Sequence, residues 1–219
     1  MTVIYLEDLL AEKNFAKAVN GLSRRVRDAH DFPPVHQIGF VVPDVERAAE
    51  ELEDRGIGPF FIIAGRAAYW REKGELRDPR LKLGMAYHQD IQIELLEPVV
   101  GSDIHANSLH PSGKPVVEHL AFLVKDVDAW AEKLVAADTD LFVRATLKGI
   151  GLTADLAYMD KNEDDGLGAH PFEFDYAIAP ARPQRTLCAT APQSAEPASH
   201  TRRSHCKTGL RTGTPDASR

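Results

Sequence analysis

The chain has 219 residues, 43% of them hydrophobic and 27% charged, proportions that exclude a wholly disordered or fibrous protein. Its net charge of −7 is uneven: residues 180–219 hold seven Lys or Arg against two acids, which leaves about −12 on residues 1–179. An acidic main part argues against nucleic-acid binding, which needs a basic surface to meet the phosphates.

The two cysteines, Cys188 and Cys206, lie near the end of the chain and form no disulfide framework. No apolar run approaches the length of about 18 residues that a membrane helix needs. The N-terminus has the acids Glu7, Asp8 and Glu12 where a secretory signal has basic residues. We therefore expect a cytoplasmic protein without a membrane segment.

The ends of the chain differ from its middle. Residues 4–29 carry apolar side chains at helical spacing, which predicts one or two short helices before Pro33 and Pro34 stop the pattern. We interpret residues 1–33 as a helical extension. From residue 180 onward Pro, Ser, Thr, Ala and Arg dominate without an apolar period, which is typical of a disordered, basic tail at 180–219.

An internal repeat organises the part between. Residues 38–52 read IGFVVPDVERAAEEL and residues 120–134 read LAFLVKDVDAWAEKL, and a shift of 82 positions superposes them. Each copy has a short alternating strand, an Asp suited to cap a helix (Asp44 or Asp126), and an amphipathic helix.

Three strand-like runs follow each helix, so each half reads βαβββ: 60–63, 82–87 and 91–96 in the first half, and 141–145, 154–159 and 172–176 in the second. We expect modules at 35–100 and 117–179 within one domain at 34–179. Residues 64–80 and 100–116 are interpreted as loops, the second linking the modules. His105, His110 and His170 are then surface loop residues, and Tyr69, Trp70 and Arg71 could form a lid.

Strand parity assigns the chemically active side chains to one face, since alternate residues point to opposite sides of a sheet. Ile38 and Phe40 share an apolar face, which leaves Gln37 on the other. His119 holds the equivalent position in the second copy and lies on the equivalent face. In the last strand of each module, the polar face holds Glu94 and Glu173. An imidazole and two carboxylates on one concave surface suit a divalent cation.

These strings resemble a known family. QIGFVVPDVERA, IQIELLEP, EHLAFLVKDV and PFEFDY are similar to the glyoxalase, bleomycin-resistance and dioxygenase superfamily (the vicinal oxygen chelate proteins), and within it to methylmalonyl-CoA epimerase-like members, over residues 35–178. The resemblance implies an α+β fold in which two βαβββ modules form an open, cup-shaped mixed sheet. It also implies metal ligands at Glu94, His119 and Glu173, with Gln37 at a place usually held by His.

His36, one residue before Gln37, is the alternative ligand, provided that a bulge or register shift turns it inward. A Gln ligand with two carboxylates makes an oxygen-rich site that favours Mg, Mn, Co or Ni over a thiolate-seeking Zn site. Iron would require a second histidine.

The leading functional hypothesis is a metal-dependent isomerase, epimerase or lyase that acts on a small carbonyl or acyl compound through an enolate. Glu173, or else Glu94, would remove the proton alpha to the carbonyl. One alternative is a ring-cleaving iron dioxygenase, and another is a cup that binds a small molecule without catalysis. Modules of this fold pair within one chain or across a homodimer, and the sequence leaves both open.

Overall fold

The structure is a computed structural model that describes residues 3–98, 100–102, 104–149, 152–160 and 173–176. All of them lie in the first of two compact units, Met1–Pro183. The tail predicted at 180–219 lies outside the described residues.

Three short helices precede the first strand: α1 (Leu6–Leu10), α2 (Phe15–Leu22) and α3 (Arg24–His30). The side chain of Asn14 caps α2 by accepting a hydrogen bond from the Lys17 amide. The sequence predicted one or two helices here, and the structure has three. The helical segment is interrupted between α2 and α3 at Ser23, whose hydroxyl donates to the Asn20 carbonyl.

The first half continues with a strand, a helix and five further strands. The helix begins at Asp44, whose carboxylate accepts from the Arg47 amide. The bounds are β1 (Val35–Val41), α4 (Val45–Glu53), β2 (Phe61–Arg66), β3 (Tyr69–Glu72), β4 (Glu75–Leu76), β5 (Arg80–His88) and β6 (Ile91–Glu97).

The second half repeats strand, helix and three strands. Asp126 caps its helix in the same way, through the Ala129 amide. The bounds are α5 (Ile104–Ser108), which precedes the half, then β7 (Val116–Phe122), α6 (Val127–Val135), β8 (Asp140–Gly149), β9 (Leu152–Asp160) and β10 (Glu173–Tyr176).

The strands form two five-stranded ladders, in the orders β2-β5-β6-β1-β7 and β10-β9-β8-β3-β4. β1 runs parallel to β6 and antiparallel to β7, and β10 also lies close to β7. The result is an open mixed sheet with α1, α2, α4 and α6 packed on one side. The predicted α+β class is confirmed.

The predicted loop at 64–80 was wrong in part. β2 extends to Arg66, and β3 and β4 form a hairpin that pairs with β8 of the other half. Lys73 and Gly74 connect the two strands with φ of 49° and 82°, and positive φ at both positions is what a two-residue hairpin turn requires. Trp70 is buried at 2% exposure, so it is part of the core and not of a lid.

The predicted loop at 100–116 contains the short helix α5. Its residues Ile104 and His105 are buried, at 6% and 4% exposure. Ile104 packs in the same apolar cluster as Trp70 and Leu156. The interpretation of His105 as a surface residue is therefore wrong, whereas His110 lies in a turn where its Nδ1 contacts the Ser112 hydroxyl at 2.7 Å.

Two apolar clusters fill the two sides of the strands, as the alternation of residues in β1 and β6 requires. Ile38 and Phe40 pack with the helices, in the larger cluster. Val41 and Leu96 belong to the smaller one on the concave side, with Trp70. Among the described residues no helix is both long and apolar enough to cross a membrane.

Candidate metal and active site

Two bulges reshape the strands that carry the predicted ligands. The pairing of β1 with β7 shifts between Val35 and Gln37, and again between Gly39 and Phe40. In the first shift the extra residue is His36. In the second, Gly39 pairs with His119 and Phe40 with Val117, so the extra residue is Glu118. Positions 36 and 118 are 82 apart, the same shift that superposes the two repeat strings.

His119 lies at the centre of a buried polar cluster. Its Nδ1 is 2.6 Å from Glu118 Oε2, and its Nε2 is 3.4 Å from Glu94 Oε2. Glu94, Glu118 and His119 are 5%, 1% and 1% exposed. The bulge explains how adjacent residues meet, because it breaks the alternation that would send Glu118 to the opposite face.

Gly39 makes room for the imidazole of His119. A Cβ atom built on residue 39 would lie 1.9 Å from Cε1 and 2.2 Å from Nδ1 of the ring. The ring therefore lies directly over the β1 backbone, and the ring of Tyr158 meets it edge-on at 6.0 Å. Both contacts restrict the orientation of the imidazole.

Behind His119 the Glu118 carboxylate also faces His105. His105 Nδ1 is 3.7 Å from Glu118 Oε1, and its ring meets Trp70 and Tyr158 at 6.5 and 6.0 Å. Complete burial pushes the pKa of Glu118 up, but the imidazoles of His105 and His119 pull it down further, to well below the ordinary range.

Gln37 lies at the outer end of the same face. Its Nε2 donates to Gln92 Oε1 at 2.7 Å, whereas its Oε1 is buried without a hydrogen-bond partner in the described part of the chain. His36 lies beside Tyr87, with ring centroids 6.3 Å apart, and Tyr87 is the cross-strand partner of Gln92. Burial lowers the pKa of His36, so its imidazole is neutral and keeps a lone pair for binding.

Glu173 is described in its backbone alone. It pairs with Tyr158 across β9 and β10, and the Tyr158 ring contacts His119 and His105. The strand register thus brings position 173 to the neighbourhood of the cluster. Its side chain and the whole of His170 lie outside the described residues.

The structure thus brings Glu94 and His119 into direct contact, with Gln37 on the same face and His36 at its rim. Sequence reasoning missed Glu118 and His105. Strand parity alone would place Glu118 on the face opposite His119, and nothing in the composition of the loop sequence distinguished His105 from His110. The signal that was available is the acidic residue directly before a histidine at a repeat position.

Comparison with known families identifies the chain. Residues 36–154 match the profile of the glyoxalase/bleomycin resistance protein/dioxygenase superfamily, and they make up more than half of the chain. The chain belongs to this superfamily. The resemblance drawn from the four strand strings is confirmed, and with it the glyoxalase fold.

Solved structures of this fold include methylmalonyl-CoA epimerase from Mycobacterium tuberculosis, which is 19% identical over 65% of this chain and 86% of that one, with a TM-score of 0.45. A variant of the Streptomyces coelicolor epimerase in complex with 2-nitronate-propionyl-CoA is 16% identical over 69% and 99%, with a TM-score of 0.46. A variant of 4-hydroxymandelate synthase from Streptomyces coelicolor is 13% identical over 67% and 48%, with a TM-score of 0.43. No curated protein matches the chain. At these values the likenesses do not bear on activity.

Metal-dependent members of the superfamily raise the question of whether these residues fit a cation. Two ligands bonded to one ion at about 2.1 Å lie about 3.0 to 3.4 Å apart. The separation of 3.4 Å between His119 Nε2 and Glu94 Oε2 agrees with that spacing. The buried Gln37 Oε1, an acceptor without a donor in the described residues, is a further candidate ligand on the same face. The pair of His119 and Glu94 fits a divalent ion.

A second group of carboxylates does not fit. The oxygens of Asp44, Glu46 and Glu97 lie within 4.8 Å of one another, at the start of α4. However, the ammonium of Lys82 forms ion pairs with both Glu46 and Glu97, the second at 2.8 Å. Glu97 also accepts from the Val45 amide at 3.0 Å. Lys82 already supplies the positive charge there, so this cluster ties α4 to β5 and β6.

Proposed function

We propose that this protein binds a divalent cation on the concave face and acts as a metal-dependent isomerase, epimerase or lyase on a small carbonyl or acyl compound. The observation that carries the proposal is the pair of His119 Nε2 and Glu94 Oε2, 3.4 Å apart and both buried. Two carboxylates, Glu94 and Glu118, are buried against His119, and burial of charge is costly unless a counter-charge is present. A divalent ion supplies that counter-charge.

The residues that would hold the ion are His119 through Nε2, Glu94 through its carboxylate and Gln37 through Oε1, which leaves a carboxylate at position 173 free to act as a base. When bound, such an ion acts as a Lewis acid toward carbonyl oxygens. The protein's own part is to present these ligands rigidly. Gly39 and Tyr158 restrict the His119 ring, and the hydrogen bond to Gln92 fixes the Gln37 amide with Oε1 left as an acceptor.

The residue that moves the proton would be Glu173. Glu94 faces His119, so it is the poorer candidate for a base that must approach a carbon–hydrogen bond. A carboxylate at position 173 would accept the proton alpha to the substrate carbonyl, which leaves an enolate, and return a proton to the carbon. Delivery of a proton to the opposite face of the enolate, by a second acid or by water, would give epimerisation, and expulsion of a neighbouring group would give a lyase.

The surroundings favour chemistry protected from water. Val41, Leu83 and Leu96 are buried on the concave side together with Leu156 and Tyr158. A low-polarity lining strengthens the electrostatic effect of the few polar groups within it. We infer a small, partly apolar acyl substrate, and we retain the cytoplasm and a homodimer as part of the proposal.

The ring-cleaving iron dioxygenase is a second candidate because of the bulge at His36. This bulge brings a neutral imidazole next to Gln37, near the face that holds His119 and Glu94. Two histidines and one carboxylate are the usual ligands of non-haem iron in oxygenases. The choice between the two candidates therefore depends on whether His36 or Gln37 is a ligand.

The test is metal analysis followed by a proton-exchange assay. Wild type and the variants His119→Ala, Glu94→Gln, Gln37→Ala and His36→Ala are loaded in turn with Mg²⁺, Mn²⁺, Co²⁺, Ni²⁺, Zn²⁺ and Fe²⁺, and the bound metal is measured. His110→Ala is the control, since His110 lies in a turn away from the cluster. Small acyl thioesters and 2-oxo compounds are then incubated in D₂O, and deuterium at the alpha carbon is followed by NMR.

We expect about one metal per chain in wild type and His110→Ala, its loss in His119→Ala and Glu94→Gln, and deuterium uptake that disappears in Glu173→Gln. Retention of iron that depends on His36, together with oxygen consumption on catechols, would favour the dioxygenase. Absence of metal binding in wild type would refute both enzymes and leave a small-molecule binding protein.

A further inference from the structure

Glu118 is a buried carboxylate placed between two imidazoles. Its Oε2 is 2.6 Å from His119 Nδ1, and its Oε1 is 3.7 Å from His105 Nδ1. The three residues come from different parts of the chain: Glu118 and His119 from the bulge in β7, and His105 from α5 in the connection between the halves. None of them is more than 4% exposed.

We propose that Glu118 and His105 are positioning residues for His119: Glu118 holds the proton of His119 on Nδ1 and directs Nε2 toward Glu94, and His105 holds Glu118 in place. This inference rests on the proposed function, in which His119 Nε2 is a metal ligand. Neither positioning residue touches the ion or the substrate.

The contact between Glu118 and His119 decides which ring nitrogen holds the proton. A carboxylate oxygen accepts and a ring N–H donates, so a hydrogen bond as short as 2.6 Å assigns the proton to Nδ1 of His119. A histidine that donates one ring N–H to a carboxylate presents its other nitrogen in a fixed direction, and this arrangement also makes that nitrogen a more basic ligand. Here the other nitrogen faces Glu94 at 3.4 Å.

The backbone of β7 places Glu118 beside His119. In a regular strand, Glu118 would point away from His119 toward the helices. The bulge in β7 is what brings both side chains to the concave face. Bulges often re-aim a side chain beside an active site, and this one has Gly39 opposite, where the absence of a Cβ lets the ring lie over the backbone.

His105 faces the other oxygen of the Glu118 carboxylate. At 3.7 Å, His105 Nδ1 is beyond hydrogen-bond distance of Glu118 Oε1 but within the distance of an ion pair. The rings of Trp70 and Tyr158 contact the His105 ring edge-on, and these contacts restrict the orientation of its imidazole. A buried carboxylate with a single partner is costly, and His105 offers Glu118 a second one.

The experiment measures Co²⁺ affinity by calorimetry in wild type, Glu118→Gln and His105→Phe. Glutamine keeps the shape of Glu118 but removes its charge, and phenylalanine keeps the ring packing of His105. Glu72→Gln is the matched control, because Glu72 is also a buried acid but accepts from Trp70 and Ser102. We expect Glu118→Gln to weaken Co²⁺ binding by about 10- to 100-fold, His105→Phe by less, and Glu72→Gln to leave it unchanged.

NMR of the protein without metal gives a readout independent of the ion. In long-range ¹H–¹⁵N spectra, His119 of wild type should show a protonated Nδ1 with a downfield proton that exchanges slowly with water. Glu118→Gln should shift this proton upfield, and Glu72→Gln should not. Circular dichroism and thermal unfolding establish that each variant is folded.

The outcomes separate the two ideas. If wild type takes up no Co²⁺ but shows this Nδ1 signal and Glu118→Gln shifts it, the proposed function fails and the positioning of the ring stands. If folded Glu118→Gln binds Co²⁺ as tightly as wild type, the positioning role is overturned and the metal site stands. A His119 without a proton on Nδ1 in wild type also overturns it.

Discussion

Replacement of Gly39 by alanine tests the geometry of the site with the smallest change in the sequence. The new Cβ would lie 1.9 Å from Cε1 of His119, and the ring would have to retreat until the contact reaches at least 3.4 Å. A movement of that size breaks the 2.6 Å hydrogen bond to Glu118. Gly39 has an extended backbone in β1, so the effect comes from the clash and not from backbone strain.

The magnitude follows from two costs that overlap. Overpacking of a filled interior costs about 1–3 kcal/mol. Loss of the hydrogen bond to the buried Glu118 carboxylate costs about 1.5–3 kcal/mol, because a buried acceptor loses a donor. We therefore expect Gly39→Ala to lower the free energy of unfolding by about 3–5 kcal/mol, a large part of the 5–15 kcal/mol that is typical of a domain. Co²⁺ binding should be lost with it.

The assay is urea denaturation followed by circular dichroism, with Gly65→Ala as the control. Gly65 is also a strand glycine, but a Cβ there would meet nothing within 4 Å, so its stability should change by less than about 1 kcal/mol. A double-mutant cycle isolates the cause: in a His119→Ala background, Gly39→Ala should cost less than about 1 kcal/mol, since the ring is gone. Equal stability of Gly39→Ala and wild type would refute the geometry.

Two further predictions concern the rest of the fold. Trp70→Ala should lower the free energy of unfolding by about 3–5 kcal/mol in the same assay, because it empties a buried site and leaves Glu72 with Ser102 as its hydrogen-bond donor; an unchanged midpoint would contradict a core role. Asp128→Asn should cost less than about 1 kcal/mol at neutral pH, since the ion pair with Arg144 at 2.8 Å is largely exposed. The hydrogen bond from Arg144 holds the pKa of Asp128 below its ordinary value, so the stability from this pair is present above the ordinary aspartate pKa and is lost as the pH falls through the lowered one. A difference between wild type and Asp128→Asn that persists in acid would contradict the assignment.

The sequence was sufficient to predict which face most site residues occupy. Alternation in β6 separates Glu94 from Ile93 and Leu95. In the structure Ile93 and Leu95 pack with the helices, and Glu94 lies on the concave side. Hydrophobic period predicts such faces well, because a slip of one residue would bury polar groups on the wrong side. The helix starts at Asp44 and Asp126 were likewise visible from capping chemistry.

The parts that sequence reasoning did not predict are set by tertiary contacts. The bulges at His36 and Glu118 depend on how β1 pairs with β7, and no local pattern marks an extra residue in a strand. The burial of His105 depends on Trp70 and Tyr158, which are distant in sequence. Parity therefore located the face of the site but not the second carboxylate beside His119.

The β3–β4 hairpin has a consequence for how the chain folds. Tyr69–Glu72 of the first half completes the ladder of the second half, where Trp70 pairs with Ala145 of β8. The strand pairing of the second half is therefore complete only when β3 of the first half has docked on it. Contacts between residues so far apart in sequence slow folding. If either half were produced alone, it would expose an unpaired strand edge, and such edges promote aggregation. The pairing of β3 with β8 therefore makes each half depend on the other being present in the same polypeptide.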